Sequence, residues 1–381
     1  RVLTLLKLDD INNVGSMKLR VRSLIESLKL VGGDGADRRK TAEFKTTPVF
    51  DKACRGRKIL VPYFTPFISP LIPAIMRVAG YDVENLPLSD TESCEWGLKY
   101  ANNEVCYPAT LIVGDIIKAF KSGKYDPHNT AVAMTQTASS YVSLIKKALV
   151  DAGYDDVPVI AFAVGGSIKN LQPGFKVNWI KLLPIALYSV LYSDCISKFY
   201  YASVVREKQP GQAARLRDLY LQASESLILE GRSEDLLSYL SMAATEFNRI
   251  CYDVERPKVC VVGEIFLKFN PFAQKNVTDW LISQGVEIVP PLLLDFFMQS
   301  FVNNRIDGQT HLKRRSITDF IYSLVYKRIR KHIARVNKAA SSFRYFTPFN
   351  DIFEEAEEAR KVISLSAQFG EGWLLPAEIM S

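Results

Sequence analysis

From Arg57 onward, short apolar runs alternate with stretches of helical spacing. Lys58-Ile59-Leu60-Val61-Pro62 is a continuous apolar run of the kind a strand shows when both of its faces are buried. Residues 69–79 carry a helical pattern with Pro70 near the first turn, where a missing N–H is harmless. A second strand is predicted over 81–86, and a helix over 107–120 that leaves through Lys121-Ser122-Gly123. The third strand falls at 130–137, an amphipathic helix closed by Gly153 at 141–152, and the fourth strand at 157–162. Strand and helix alternating through short turns predict a parallel sheet covered on both faces.

Between about 165 and 250 the strand signals stop. Residues 179–202, 212–229 and 233–250 read as three helices, the last two with Leu and Ala stripes opposite Glu, Arg and Ser. A second α/β unit is predicted from Lys258: a buried strand over 258–264, a helix over 273–284 and a strand over 287–290. It continues with a helix within 347–361, a strand over 362–366, and the turn Gly370-Glu371-Gly372 opening a last helix. Near the start, Leu19, Val21, Leu24, Ile25 and Leu28 form a helical stripe over 17–30, ended by Gly32-Gly33-Asp34-Gly35. The Arg38-Arg39-Lys40 run reads as a solvated loop. The expected fold is therefore α/β: two parallel-sheet α/β/α lobes of Rossmann or flavodoxin type with an intervening helical layer. The expected boundaries are an N-terminal helical and loop segment 1–55, a first lobe 56–170, a helical segment 171–252 and a second lobe 253–381.

Composition narrows the function. With 381 residues, 48% of them hydrophobic and 23% charged, the chain can bury large cores and is no disordered protein. A net charge of +7 is mild at this length and is no nucleic-acid signature. Six cysteines without a close paired motif fit a reducing compartment better than a disulfide scaffold. No leader pattern opens the chain, and no uninterrupted apolar stretch reaches the roughly 18 residues of a membrane span. The nearest candidate, 179–193, contains Lys181 and Pro184 and reads as a buried helix. The expectation is a cytoplasmic protein with no membrane or nucleic-acid partner. His128, His311 and His332 have no metal-ligand spacing.

Three places carry candidate chemistry. Cys106 precedes Tyr107-Pro108, and proline stiffens the backbone around it, so the thiol is presented on a fixed chain. Such an arrangement occurs at iron–sulfur sites, although a lone cysteine is also a common core residue. Cys106 precedes a predicted helix and Thr135-Gln136-Thr137 ends a predicted strand, so both fall at the carboxyl edge where such sheets bind ligands. Glu264 and Glu371 stand at predicted strand-to-loop positions of the second unit; converging, one could carry a proton, whereas separately each would cap a helix or turn. The basic amphipathic stretch 311–336 (Lys313, Arg314, Arg315, Lys327, Arg328, Arg330, Lys331, Arg335) reads as a packed helix with a solvated face. Its sharper alternative is a docking face for an acidic partner or a CoA-type phosphate.

The string Asn102-Asn103-Glu104-Val105-Cys106-Tyr107-Pro108-Ala109, with Gly114-Asp115, Met134-Thr135-Gln136-Thr137 and Tyr141, resembles the 2-hydroxyacyl-CoA dehydratase-like proteins, in the branch related to proteins that accompany ATP-dependent dehydratase activators. Val262-Gly263-Glu264-Ile265, Lys268-Phe269-Asn270-Pro271-Phe272-Ala273 and Gln368-Phe369-Gly370-Glu371-Gly372-Trp373 through Glu378 resemble the same branch. The resemblance implies an iron–sulfur cluster, 4Fe-4S or double-cubane, with Cys106 as a thiolate ligand and Glu264 and Glu371 as proton-transfer or supporting groups. It also implies an ATP-dependent activator protein that delivers single electrons, and radical dehydration or low-potential reduction of an acyl-CoA. A dimer is a candidate assembly. Two departures stand out. The family places a glycine-rich turn with Cys-Arg where Thr137 here meets Ala138, and it carries a further cysteine beyond the position of Ser381. Either a ligand loop and tail belong between and after these residues, or the chain is a relative without a cluster. In the second case it would be a scaffold, or a CoA- or nucleotide-binding partner of an activator.

Overall fold

The computed structural model describes residues 21–22, 24–25, 45–102, 105–135, 141–162, 172–312, 317–368 and 370–380. Arg1–Lys45 and Thr46–Ser381 are separate compact units. In the first, the described residues 21–22 and 24–25 are helical, within the stripe predicted over 17–30. The Arg38-Arg39-Lys40 run, Asn103, Glu104, the 136–140 junction, Lys313-Arg314-Arg315 and Phe369 lie outside the described residues.

In the second unit β1 (Lys58–Val61), β2 (Val83–Asn85), β3 (Thr130–Thr135) and β4 (Val159–Phe162) form one parallel sheet in the order β2-β1-β3-β4. Ile59 pairs with Val83 on one side and Ala131 on the other, and Val132 pairs with Val159. Successive side chains point to opposite faces, which divides the apolar runs between two cores. Leu60, Val132 and Val159 meet Ile116, Ile117 and Phe120 of helix α3 (Tyr107–Lys121) and Ile145 and Leu149 of α4 (Tyr141–Asp151). Ile59, Ala131, Ala133 and Ile160 meet Met76 of α1 (Ile72–Val78), together with Phe50 and Tyr81. Helix α2 (Thr91–Tyr100), for which the apolar pattern gives no signal, starts at a reciprocal cap. Asp90 accepts from Ser93 N at 2.9 Å, and Ser93 Oγ accepts from Asp90 N at 3.1 Å.

The helical layer consists of α5 (Trp179–Val204), α6 (Gln212–Leu229) and α7 (Leu236–Ile250), close to the predicted bounds. Among the described residues α5 is the one helix long and apolar enough to cross a membrane by length and composition. Of its most apolar window 61% is buried inside the protein, as in the core helix of a packed fold. Tyr192, Cys195, Ile196 and Phe199 place it at the centre of the largest apolar cluster.

Beyond residue 250 the chain departs from the expected second lobe. The sheet there has two parallel strands, β5 (Lys258–Cys260) and β6 (Glu287–Val289). The strand predicted as buried over 258–264 is three residues long, with Val259 40% exposed. The strand predicted over 362–366 is a series of turns: Val362 N and Ile363 N both donate to Ala359 O, and Ala367 N donates to Ser364 O. These local bonds use the amides that a ladder would need. Short helices α8 (Ile265–Phe269) and α9 (Val277–Ser283) follow β5, and α9 is shorter than the predicted 273–284 because Lys275 and Asn276 turn at positive φ. Helix α10 (Leu293–Gln309) carries no local start signal. Its N-terminus is capped from a distance, by the Asp194 carboxylate accepting from Leu293 N at 3.2 Å and Leu294 N at 2.9 Å. Helix α11 (Ile317–Ala340) is the predicted basic helix, and α12 (Ile352–Ala359) and α13 (Leu374–Met380) complete the chain.

Candidate active site at the carboxyl edge of the sheet

The order β2-β1-β3-β4 sends the chain outward from β1 to β2 and then back across to β3. The switch point, where open parallel sheets bind ligands, lies between β1 and β3. Helix α3 starts at that edge. Cys106 is its N-cap in extended conformation (φ −69°, ψ 156°), and Pro108 occupies the first turn, where no donor is lost. Helix α2 clamps this turn by glycine contacts. A Cβ on Gly97 would lie 2.1 Å from Thr110 O, and one on Gly114 would lie 1.7 Å from Ser93 O, so the two backbones touch. Cys106 is thus presented on a chain with little freedom, and its thiol is exposed.

Tyr141 begins α4, directly beyond β3 in sequence. It is buried, and its hydroxyl lies 3.4 Å from Cys106 Sγ, with either atom able to donate. Burial pushes the phenol well above its ordinary range; the contact with Cys106 adds to this, and so do the charges of Glu264 and Glu371. A phenol that keeps its proton is the donor, and sulfur the acceptor, whenever the thiol ionises.

Glu264 and Glu371 come from distant parts of the sequence and grip the same helix end. Glu264 is the N-cap of α8 and accepts from Leu267 N at 3.1 Å. Glu371 accepts from Ile265 N. Glu371 is held in place by its flanking glycines: Gly370 and Gly372 have φ +63° and +46°, and a Cβ on Gly372 would lie 2.0 Å from Ala367 O. The residues after Glu264 lie on the sheet's edge. Asn270 Nδ2 donates to Tyr63 O at 3.3 Å, just past β1, and Phe64 packs against Phe266 and Phe269 at 6.5 and 5.1 Å between ring centroids. Burial raises the Glu264 carboxyl above its ordinary value, and the charge of Glu371 adds to this. Both glutamates do cap a helix, and both also stand where their charge reaches Tyr141.

Two further groups at this place escape a reading of the sequence pattern. Lys268 and Glu378 form an ion pair whose side chains are 1% and 9% exposed. Burial raises the Glu378 carboxyl against the opposing pull of Lys268, and its Oε2 has no hydrogen-bond partner. Cys260, at the end of β5, is raised by burial and then by the charge of Glu378. Nothing in the sequence around Lys268 or Glu378 signals that they pair.

The donor set bears directly on the expected cofactor. All six cysteines are described: Cys54, Cys195 and Cys251 are buried, and Cys94 faces the Tyr107 hydroxyl at 3.7 Å. Among the described residues no three His, Cys, Asp or Glu side chains gather as a metal-holding group. The described residues offer Cys106 as a candidate thiolate and gather no metal-holding group around it. What they do assemble is a thiol, a phenol that keeps its proton and two glutamates, one of them raised by burial, at the ligand-binding edge of a parallel sheet.

No family model, curated protein or solved structure matches the chain.

Proposed function

We propose that the chain is a cytoplasmic subunit of the 2-hydroxyacyl-CoA dehydratase type, partnered by an ATP-dependent activator that delivers single electrons. Its reaction is radical dehydration or low-potential reduction of an acyl-CoA. The observation that carries this reading is the convergence of Cys106, Tyr141, Glu264 and Glu371, from four separate stretches of sequence, toward the switch point of the sheet. In this reading the small β5/β6 sheet is a reduced second α/β lobe, and its glutamates face the cleft of the first. Cys106 is the thiolate the chain offers to a 4Fe-4S or double-cubane cluster.

The acid–base part rests on this chain alone. Burial raises the Glu264 carboxyl and the charge of Glu371 adds to this, which makes Glu264 the group to donate to an oxygen leaving a bound substrate. Glu371 is tied to the amide of Ile265 and fixes the start of α8, which positions Glu264. Tyr141 anchors the sulfur.

The engagement of the Cys106 and Cys94 sulfurs by the Tyr141 and Tyr107 hydroxyls favours a second reading: a cluster-less scaffold, or a CoA- or nucleotide-binding partner of the activator. Anaerobic expression with iron and sulfide analysis separates the two. About four or more irons per chain, with broad visible absorption lost in Cys106→Ala, supports the dehydratase-type reading. No iron after anaerobic reconstitution overturns it, and thermal stabilisation by CoA or ATP then identifies the binding partner.

A further inference from the structure

Helix α11 is covered by the rest of the protein along its C-terminal half, where Ile333, Val336 and Ala340 are buried. Between residues 320 and 331 it presents two uncovered rows. Phe320, Leu324, Lys327 and Lys331 follow one another at spacings of four, three and four residues, and Ile321, Val325 and Arg328 at four and three. Each set therefore lies along one line of the helix surface, with the two lines adjacent. Both rows begin apolar and end basic. Phe320 is 65% exposed, and Ile321 and Leu324 are each 51% exposed; Lys327, Arg328 and Lys331 are also exposed. The neighbouring cations are engaged, Arg330 with Asp351 and Arg335 with Glu234, whereas Lys327, Arg328 and Lys331 have no ion pair among the described residues. Large apolar side chains in a contiguous exposed set mark an interaction surface.

We infer that this face docks an amphipathic helix of a partner protein, with apolar side chains over Phe320, Ile321 and Leu324 and carboxylates over Lys327, Arg328 and Lys331. Charge complementarity selects the acidic character of the partner. The lengthwise order selects a protein over a lipid surface. A helix lying in a membrane interface keeps one depth along its length, with its apolar and basic residues on separate faces. Here one face changes from apolar to cationic over three turns, which fixes both the register and the direction of an opposing helix. This inference does not depend on the chemistry at Cys106.

The test uses the full chain and a fluorescein-labelled helical peptide of about 20 residues, roughly 30 Å long, with Leu at spacings of three and four in one half and Glu in the other. Fluorescence anisotropy should show saturable binding that weakens with added salt. Binding should fall about tenfold or more in Leu324→Asp and in the triple variant Lys327→Glu/Arg328→Glu/Lys331→Glu. A peptide with Lys in place of Glu should be rejected by the native chain and accepted by the triple variant. Should either variant fail to fold, rejection of the Lys peptide by the native protein still decides. Equal binding of the Glu and Lys peptides, or no binding of either, overturns the proposal. So does sedimentation with phosphatidylserine vesicles in the absence of peptide binding, which would assign the face to a membrane.

Discussion

The β1–β4 region and the β5–α13 region both bury apolar clusters, and the second adds buried charge to its own. In the first, side chains above and below the sheet are overwhelmingly apolar, with Ile59, Leu60, Val132, Ile117 and Leu149 all fully buried. Among its buried polar groups is Asp115, a carboxyl pushed up to about 6 by burial and bonded by Ser89 Oγ at 2.7 Å. The second region packs into the largest apolar cluster and adds buried charge to it: Arg206 with Glu287 at 2.7 Å and Asp194 on the amides of Leu293 and Leu294 tie it to the helical layer, while Lys268 with Glu378 and Glu371 on the amide of Ile265 tie its own parts together. A region fixed by apolar area should respond to lost volume. One that adds buried charge should respond also to lost partners and to pH. The candidate site lies where the two meet, so its thiol comes from the rigid region and its carboxyls from the charge-bearing one.

The largest expected effect is Lys268→Met. It leaves Glu378 buried without its cation, which costs about 3–5 kcal/mol, and the loss should shrink at acid pH, where Glu378 can take a proton. Urea denaturation at neutral and acid pH checks both parts; a pH-independent loss would mean that packing, and not charge, holds α13. The matching change in the first region is Ile117→Ala, worth about 3 kcal/mol because it opens a cavity against the sheet, and this loss should be the same at both pH values. Next comes Gly372→Ala. Its Cβ would run into Ala367 O at a positive φ, so about 2 kcal/mol or more should be lost. The Glu371 grip on α8 would loosen with it, visible as faster amide exchange at Ile265.

The same contrast explains what the sequence pattern reveals. Strands buried on both faces leave apolar runs, so β1, β3 and β4 are legible one by one, and their alternation with helices fixes a parallel sheet. Val362-Ile363-Ser364-Leu365-Ser366 shows a similar run and yet turns, because a run becomes a strand only where a neighbour offers a ladder, and the amides of Val362 and Ile363 bond to Ala359 O instead. Helix α10 is illegible because its cap, Asp194, lies 99 positions upstream of Leu293. Helix α2 could have been found from Asp90 and Ser93, whose three-residue spacing is its capping box. At the site, Cys106, Glu264 and Glu371 stand out because their neighbouring prolines and glycines mark turns. The Tyr141 contact and the Lys268–Glu378 pair arise only from folding.

A smaller effect should separate the regions by titration. Asp194 is pushed up to about 7 by burial, which outweighs the two amides that bond its charged form. The folded protein therefore keeps a proton on Asp194 that the unfolded chain releases near the ordinary value of 3.8. The stability this provides is fully present below that value and is lost as pH rises toward about 7. Asp194→Asn never ionises, so its melting temperature should decline less across this window. A parallel pair of curves would show that Asp194 does not titrate with folding.

The smallest change tests the seam itself. Tyr141→Phe removes one hydroxyl, 3.4 Å from Cys106 Sγ, and leaves the ring's packing in place. A hydrogen bond to a charged acceptor contributes about 1.5–3 kcal/mol at good geometry. At this longer sulfur contact about 1 kcal/mol is reasonable, or roughly fivefold in rate. Stability should hardly move, whereas alkylation of Cys106 by iodoacetamide at neutral pH should slow about fivefold, since the phenol donates to the ionised sulfur. Glu264→Gln removes a group whose charge reaches Tyr141, so it should alter the same alkylation rate through the phenol. If both variants leave the alkylation rate unchanged, the thiol and the carboxyls are neighbours without coupling. The site would then be two surfaces brought together by packing alone.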